Sequence, residues 1–133
     1  MNLFLITLVG VMLALALYQL YLSRPGLPLE EAKAALQAGT AVLIDVREAS
    51  EWTSGVAKQS TLLPFSDLRG ERRQWRKFLE KHQGKRLLLY CASGTRSGLA
   101  ARTLRAEGHD AVNAGSIRDW DRAGWPICSS AQR

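Results

Sequence analysis

The segment over residues 86–108 constrains the fold more than any other part of this chain. It begins with an apolar run of strand length, passes through Cys91 into a loop of small residues, and ends as a helical run that stops at Gly108. An apolar strand without polar alternation is typical of a parallel sheet whose two faces are both covered by helices. The segment therefore predicts a strand–loop–helix unit within an α/β fold.

Cys91 lies where the chain leaves this strand, in front of a loop and the start of a helix. The loop residues are Ala92, Ser93, Gly94, Thr95, Arg96 and Ser97. Backbone N–H groups in such a loop and at a helix N-terminus carry partial positive charge, which favours a thiolate over a thiol. Arg96 adds a full positive charge. The pattern predicts an activated cysteine, although a lone cysteine after a strand is more often a small buried hydrophobic residue.

The loop pattern Cys-x-x-Gly-x-Arg-Ser resembles the active-site loop of single-domain rhodaneses. Three further segments resemble other motifs of that family in the expected order: residues 43–48 (LIDVRE), residues 51–64 and residues 115–127. The resemblance extends over about residues 26–128. It implies the rhodanese fold, with a five-stranded sheet between two layers of helices and the catalytic loop at the carboxyl end of a strand.

The resemblance also implies sulfur transfer. The Cys91 thiolate is expected to take sulfane sulfur from a small anionic donor such as thiosulfate, or from a persulfide, and to pass it to a thiol, a cyanide-like acceptor or a protein. The amides of residues 92–97 are expected to hold the persulfide, much as an oxyanion hole holds its anion. Arg96 would attract anionic donors or orient the loop, and Ser97 would cap the helix and bind the sulfur. No metal or organic cofactor is expected.

Asp45 and Arg47 follow another apolar strand, at the edge of the sheet where open α/β folds place their sites. We expect them to support the site by tying loops together. Residues 55–60 depart from the family pattern, because Gly-His-Ile-x-Gly-Ala is replaced by GVAKQS. Ser116 replaces the second glycine of a Gly-Gly pair, which a serine tolerates only if its φ is not positive.

Two other functions are compatible with the loop. Dual-specificity cell-cycle phosphatases resemble rhodaneses, and phosphatase or arsenate reductase chemistry is one alternative. Their loop is Cys-x5-Arg, whereas four residues separate Cys91 from Arg96 here, a length that suits one sulfur atom better than a tetrahedral oxyanion. The other alternative is a membrane-tethered binding module without catalysis, although the retained cysteine argues against it.

Residues 3–22 form an uncharged, almost entirely apolar stretch. As a helix it would be roughly 30 Å long, which matches the hydrocarbon core of a bilayer. Tyr18, Tyr21 and Arg24 resemble an interfacial belt with a positive flank. A cleavable signal peptide ending near Ala14-Leu15-Ala16 is the alternative, but no Lys or Arg precedes the apolar run. We therefore predict one transmembrane helix.

The predicted organisation is a transmembrane helix over residues 1–22, a linker over residues 23–28 and a rhodanese-like domain over residues 29–133. Arg24 and Lys33 follow the apolar stretch, so the positive-inside rule places the domain in the cytoplasm. The expected location is a single pass through a bacterial inner membrane, with a periplasmic domain as the alternative.

The charged residues all lie beyond residue 22, and they give a net charge of +6. This balance suits small anions or an anionic membrane surface. The basic residues are scattered and form no recognisable nucleic-acid motif, so we expect no nucleic-acid partner. Two cysteines make neither a disulfide framework nor a metal cluster, and Cys128 is predicted to be incidental.

Overall fold

The computed structural model describes residues 2–132, in which helices and strands alternate. The α-helices of this range are α1 Leu3–Ser23, α2 Leu29–Gln37, α3 Ala49–Trp52, α4 Phe65–Arg69, α5 Arg73–Lys81, α6 Thr95–Ala106 and α7 Ile117–Arg122. The strands are β1 Ala41–Asp45, β2 Val56–Ala57, β3 Ser60–Leu62, β4 Arg86–Cys91, β5 Ala111–Ser116 and β6 Ile127–Cys128. A short 3₁₀ turn covers Ser130–Gln132.

The central sheet is parallel, with the strand order β3-β1-β4-β5. Side chains alternate across it: Ile44 and Leu89 contribute to a core with α4, α5 and α6, whereas Leu43 and Leu88 contribute to a second core with α2 and α7. All four side chains are buried. Apolar residues on both faces explain why these strands lack polar alternation, and the predicted α/β fold with helices on both faces is confirmed.

The five-stranded sheet that the resemblance implied is wrong for the part of the chain that the structure describes. The parallel sheet has four strands there, and β2 and β6 form a separate antiparallel pair. Along the outer edge of β5, Gly26 N–H donates one backbone hydrogen bond to Asn113 O at 2.7 Å. Pro25 and Pro28 lie on either side of Gly26 and have no N–H groups to extend a ladder.

α1 confirms the predicted helix over the apolar stretch. By length and composition it is able to cross a membrane, a test that a signal sequence near the start of a chain also passes. Its side chains are exposed except near its end, where Leu22 is buried. This end packs against α6, and Arg102 donates a hydrogen bond to the Tyr18 hydroxyl at 3.5 Å. α1 therefore joins the domain through direct contacts.

The segment over residues 55–60 forms the turn between β2 and β3. Gln59 occupies the position of the family's second glycine and has a φ of +70°. Side chains with a Cβ rarely adopt this left-handed conformation, so the glycine-like backbone persists with strain at Gln59. Ser60 closes the turn by donating to Ala57 O at 2.6 Å.

Ser116 does not have a positive φ, which is the condition under which a serine can replace the family's second glycine. Its φ is −104°, whereas Gly115 before it has a φ of +85°. The Ser116 hydroxyl accepts a hydrogen bond from Asp119 N at 3.1 Å, and the Asp119 carboxylate accepts one from Ser116 N at 2.9 Å. The serine therefore caps α7, which a glycine at this position cannot do with a side chain.

Candidate active site

Cys91 is the last residue of β4, and its side chain is completely buried. Its Sγ accepts hydrogen bonds from Gly94 N at 3.0 Å and from Ser97 N at 3.5 Å, and the Ser97 hydroxyl lies 3.4 Å away. Gly94 has a φ of +89°, a left-handed conformation that turns its N–H back toward the sulfur. The loop therefore surrounds the sulfur with hydrogen-bond donors that suit an anion.

The other loop residues occupy different places around the sulfur. Ala92 and Ser93 are exposed at the rim, and Thr95 opens α6. The helix begins earlier than the sequence suggested, so Ser97 lies within its first turn. The predicted capping role of Ser97 is wrong, because Gly94 occupies the N-cap position. The Ser97 hydroxyl points inward, where it donates to Asn113 Oδ1 at 2.8 Å.

Arg96 makes a bidentate ion pair with Glu51, which lies in α3. Its two terminal nitrogens donate to the Glu51 carboxylate at 2.7 and 2.8 Å. These hydrogen bonds lower the pKa of Glu51 to about 2 and raise the pKa of Arg96. The charge predicted to attract donors is therefore neutralised locally, and the pair holds the active-site loop against α3.

Glu51 is a site residue that sequence reasoning missed. It stood out only as part of a motif shared with rhodaneses, although its position just beyond β1 is a usable signal. β1 and β4 are neighbouring parallel strands, so the segments after them meet at the same edge of the sheet. A carboxylate in one segment and an arginine in the other are natural partners there.

Asp45 and Arg47 form a buried ion pair, with a nitrogen–oxygen distance of 2.7 Å. Arg47 also donates to the carbonyl oxygens of Glu51 at 3.2 Å and Gly55 at 2.7 Å. Burial favours a neutral guanidine, but the hydrogen bond and charge of Asp45 outweigh it and raise the pKa of Arg47. These contacts connect β1, α3 and the segment before β2, which is the loop-tying role expected of this pair.

Tyr90 extends this cluster into the sheet. Its hydroxyl donates to Asp45 Oδ2 at 2.7 Å and accepts from Ala57 N at 3.0 Å. Burial and the nearby Asp45 carboxylate raise the pKa of Tyr90, so it remains a neutral donor. The residue that precedes Cys91 is therefore fixed by the same carboxylate that holds Arg47.

A cleft of about 420 Å³ adjoins the exposed rim of the loop. It is lined by Ala92, Ser93, Ser116, Arg118, Asp119 and Arg122, together with Ser23 from the end of α1. Arg118 and Arg122 lie one turn apart on α7 and are exposed, and no carboxylate within residues 2–132 forms an ion pair with either. The cleft therefore presents net positive charge beside the cysteine loop.

Cys128 lies in β6, paired with Val56 of β2, and is partly buried. Cys91 and Cys128 are both free thiols. The amides that surround the Cys91 sulfur belong to Gly94 and to Ser97 in the first turn of α6, whereas Cys128 lies in the separate β2–β6 pair.

Comparisons with known proteins agree with this architecture. The profile of the Rhodanese-like domain family matches residues 28–123. An uncharacterized protein of Synechocystis sp. is 33% identical over 92 residues, which are 68% of this chain and 48% of that protein. The chain thus spans about half the length of this relative.

Two solved structures show the same likeness in three dimensions. A human single-domain sulfurtransferase is 27% identical with a TM-score of 0.60, covering 74% of this chain and 96% of its own. A rhodanese-related protein from Thermoplasma volcanium is 28% identical with a TM-score of 0.60, covering 73% of this chain and 92% of its own. The family match over residues 28–123 includes the cysteine loop and the four strands of the parallel sheet.

Proposed function

The chain belongs to the rhodanese-like domain family, and we propose that it is a sulfurtransferase that carries sulfane sulfur on Cys91. The observation that carries this proposal is the convergence of the Gly94 and Ser97 amides on the sulfur of a cysteine at the carboxyl end of β4. Such donors stabilise a negative charge that resides on sulfur before and after transfer. Similarity to a human sulfurtransferase supports the same reaction class.

In the first half-reaction, the Cys91 thiolate attacks the outer sulfur of thiosulfate. A sulfur–sulfur bond forms to Cys91, the sulfur–sulfur bond within thiosulfate breaks, and its electron pair leaves with sulfite. The enzyme then holds a persulfide anion, so the total charge is unchanged. The Gly94 and Ser97 amides suit this step because they bind the anionic sulfur without having to reorganise.

In the second half-reaction, a nucleophilic acceptor attacks the outer persulfide sulfur. With cyanide, a carbon–sulfur bond forms, the persulfide bond breaks, and the Cys91 thiolate is regenerated as thiocyanate leaves. With a thiolate acceptor, the same displacement gives an acceptor persulfide. Neither step requires an external oxidant or reductant, because sulfur moves as a neutral atom between nucleophiles.

The arginines of the site have separate roles in this scheme. Arg118 and Arg122 are exposed in the cleft beside the loop, so they are suited to attracting an anionic donor such as thiosulfate. Arg96 is held by Glu51 and is suited to positioning the loop. We therefore propose that anion attraction resides mainly in α7.

A coupled assay with thiosulfate and cyanide tests this function. The full-length protein in detergent is expected to form thiocyanate, and Cys91→Ala is expected to form none above the background rate. Cys128→Ser is the matched control and should retain the wild-type rate. A wild-type protein that is folded but forms no thiocyanate and takes up no sulfur would favour the non-catalytic binding module instead.

An assay for aryl phosphate hydrolysis tests the same assignment through the length of the loop. With four residues between Cys91 and Arg96, the cradle suits one sulfur atom, so aryl phosphates should not be hydrolysed. Inserting one glycine after Gly94 is expected to impair sulfur transfer. Aryl phosphate hydrolysis by the unmodified protein that disappears in Cys91→Ser would contradict the sulfurtransferase assignment.

We also propose that α1 anchors the domain to the cytoplasmic face of a bacterial inner membrane. Arg24, Arg102 and Arg105 line one cleft with Tyr21 at the end of α1. Basic residues at this level are favoured on the cytoplasmic side of a membrane. Protease added to cells with a permeabilised outer membrane should spare the domain, and its digestion would indicate the periplasmic orientation.

A further inference from the structure

Asn113 of β5 is a buried polar residue whose side chain connects the active-site loop to the end of α1. It is 5% exposed. Its Nδ2 lies 3.0 Å from each of three carbonyl oxygens, those of Leu22, Arg24 and Gly94. The first two belong to the end of α1 and the residue that caps it, and the third belongs to the loop that surrounds Cys91.

The chemistry of these neighbours determines which way the amide points. Carbonyl oxygens only accept hydrogen bonds, so the NH₂ group must face them. The amide oxygen faces two donors instead: the Gly115 N–H at 3.1 Å and the Ser97 hydroxyl at 2.8 Å. The reverse orientation would place the amide oxygen against three acceptors. Every polar atom of the Asn113 side chain is therefore satisfied in one arrangement only.

Two of these contacts reach the sulfur of Cys91 through one intermediate residue. Asn113 holds the carbonyl of Gly94, the residue whose own N–H donates to Sγ at 3.0 Å. Asn113 also holds the Ser97 hydroxyl, which lies 3.4 Å from Sγ. Asn113 does not line the 420 Å³ cleft beside the loop, so its effect on a substrate there is indirect.

The end of α1 fits closely against the same group of residues. A Cβ added to Gly98 would lie 2.0 Å from Leu22 O and 3.1 Å from Asn113 Nδ2. A Cβ on Gly94 would lie 2.7 Å from Ser23 O. Glycine at both positions thus lets the backbone of α1 approach the loop and the first turn of α6 within contact distance.

We propose that Asn113 is a positioning residue for sulfur transfer and that it makes the end of α1, residues 22–24, part of the active-site framework. This inference rests on the proposed sulfurtransferase function. Asn113 holds the Gly94 carbonyl and the Ser97 hydroxyl, so it fixes the position of the two residues whose N–H groups donate to the sulfur, and the carbonyls at the end of α1 hold Asn113 in turn. Displacing α1 therefore disturbs the groups that stabilise the persulfide.

Steady-state kinetics of the full-length protein in detergent test this proposal, with thiosulfate as donor and cyanide as acceptor. Asn113→Ala is expected to lower kcat by about ten- to a hundredfold, because loss of precise positioning has effects of this size. The KM for thiosulfate should change by less than about threefold, because the donor-binding charges remain in the cleft. A residue with a merely structural role would lower the melting temperature and leave kcat per folded molecule unchanged.

Gly98→Ala places a methyl group of α6 against the Leu22 carbonyl and so pushes the end of α1 away from Asn113. It should lower kcat in the same way as Asn113→Ala. Gly10→Ala is the matched control, because Gly10 is also a helical glycine, in α1, and a Cβ there meets nothing within 4 Å. Its kcat should equal that of the wild type. The double variant Asn113→Ala/Gly98→Ala should be no slower than the slower single variant, because both changes break one connection. Independent effects that multiply would overturn the proposal.

The Gly98→Ala variant and hydrogen exchange of the wild type test the proposal even if Asn113→Ala is unstable. If Asn113→Ala does not fold, Gly98→Ala alone decides, and a kcat within twofold of the Gly10→Ala control overturns the proposal. The Gly26 amide donates to the backbone oxygen of Asn113, so it reports on the segment that follows α1. In the wild type, this amide and the backbone amides of residues 94–98 should exchange with deuterium in one cooperative opening. Separate openings would contradict the connection between the end of α1 and the active-site loop. If the wild type takes up no sulfur, the sulfurtransferase function fails, whereas exchange still tests the connection.

Discussion

Two buried polar clusters lie at the same edge of the sheet, and they differ in whether their hydrogen bonds converge on one reactive atom. The β1 cluster contains Asp45, Arg47 and Tyr90, and its charges and donors satisfy one another. The β4 cluster contains Cys91 and Ser97, together with Asn113 from β5. There the N–H groups of Ser97 and of neighbouring Gly94 donate to the Cys91 sulfur, which leaves one reactive atom surrounded by donors. The first arrangement is suited to rigidity and the second to holding a reactive anion.

The two clusters are joined through neighbouring residues. Tyr90 belongs to the β1 cluster and directly precedes Cys91, and Arg47 donates to the carbonyl of Glu51, which in turn holds Arg96. The sulfur is thus positioned by a framework that takes no part in the chemistry. Variants of the β1 cluster should therefore change stability, whereas variants of the β4 cluster should change sulfur transfer.

The largest expected effect is that of Cys91→Ala on activity. Sulfur transfer should fall by about 10⁴-fold or more, because the nucleophile is removed. The free energy of unfolding should fall by only about 1 kcal/mol, since a small buried side chain is shortened in place. Thiocyanate formation and thermal unfolding of the same preparation measure the two effects. A variant with near-normal transfer would contradict the role of the β4 cluster.

Arg47→Met should have the opposite profile. It leaves the Asp45 carboxylate buried without its ionic partner, which costs about 3–5 kcal/mol of unfolding free energy. Transfer per folded molecule should stay close to that of the wild type. Denaturant unfolding followed by the assay at low temperature checks both expectations. A large loss of activity in folded Arg47→Met would mean that the two clusters are not functionally separate.

Glu51→Gln weakens the connection between the clusters, and its effect should depend on pH. The folded-state pKa of Glu51 is about 2, below its ordinary value of 4.5, so the ionised pair stabilises the fold. The stability difference between wild type and variant should be constant above about pH 4.5 and should shrink as the pH falls toward 2. Because the pair is about one-third exposed, we expect about 1 kcal/mol at neutral pH. A difference that grows on acidification would contradict this assignment.

Gln59→Gly should have the smallest effect, and it lies outside both clusters. Glycine relieves the strain of a positive φ at the cost of a more flexible unfolded chain, so the net gain should be about 0.5–1 kcal/mol. Gln37→Gly, at the end of α2, is the control and should reduce stability. Chemical denaturation measures both changes. Unchanged or lower stability in Gln59→Gly would show that the turn is not strained there.

The local elements of the fold were predictable because short patterns determine them. The apolar runs that lead to Asp45 and Cys91 predicted β1 and β4, and these strands end at those two residues. The start of α6 was missed because Gly94, with no side-chain cap, opens the helix at Thr95. The number of strands in the sheet was wrong because it came from the resemblance and not from a pattern in this sequence, and the parallel sheet of the described residues has four strands.

The candidate site was predictable around Cys91 and not beyond it. The loop pattern identified the cysteine and the glycine, since both lie within a few residues of each other. Glu51 was missed because Arg96 lies 45 positions away along the chain. Asn113 was missed because the contacts that connect it to the loop and to α1 lie 16 to 91 positions away. Such contacts depend on which strands are neighbours, and no local pattern in one sequence contains that information.

Mass spectrometry of the full-length protein after incubation with thiosulfate tests directly whether Cys91 carries the sulfur. We expect a mass increase of one sulfur atom on the peptide that contains Cys91, removed by a reducing agent and by cyanide. Cys128→Ser should show the same increase, and Cys91→Ala should show none. A folded wild-type protein that gains no sulfur, or gains it only on Cys128, would contradict the proposal that Cys91 carries the sulfur.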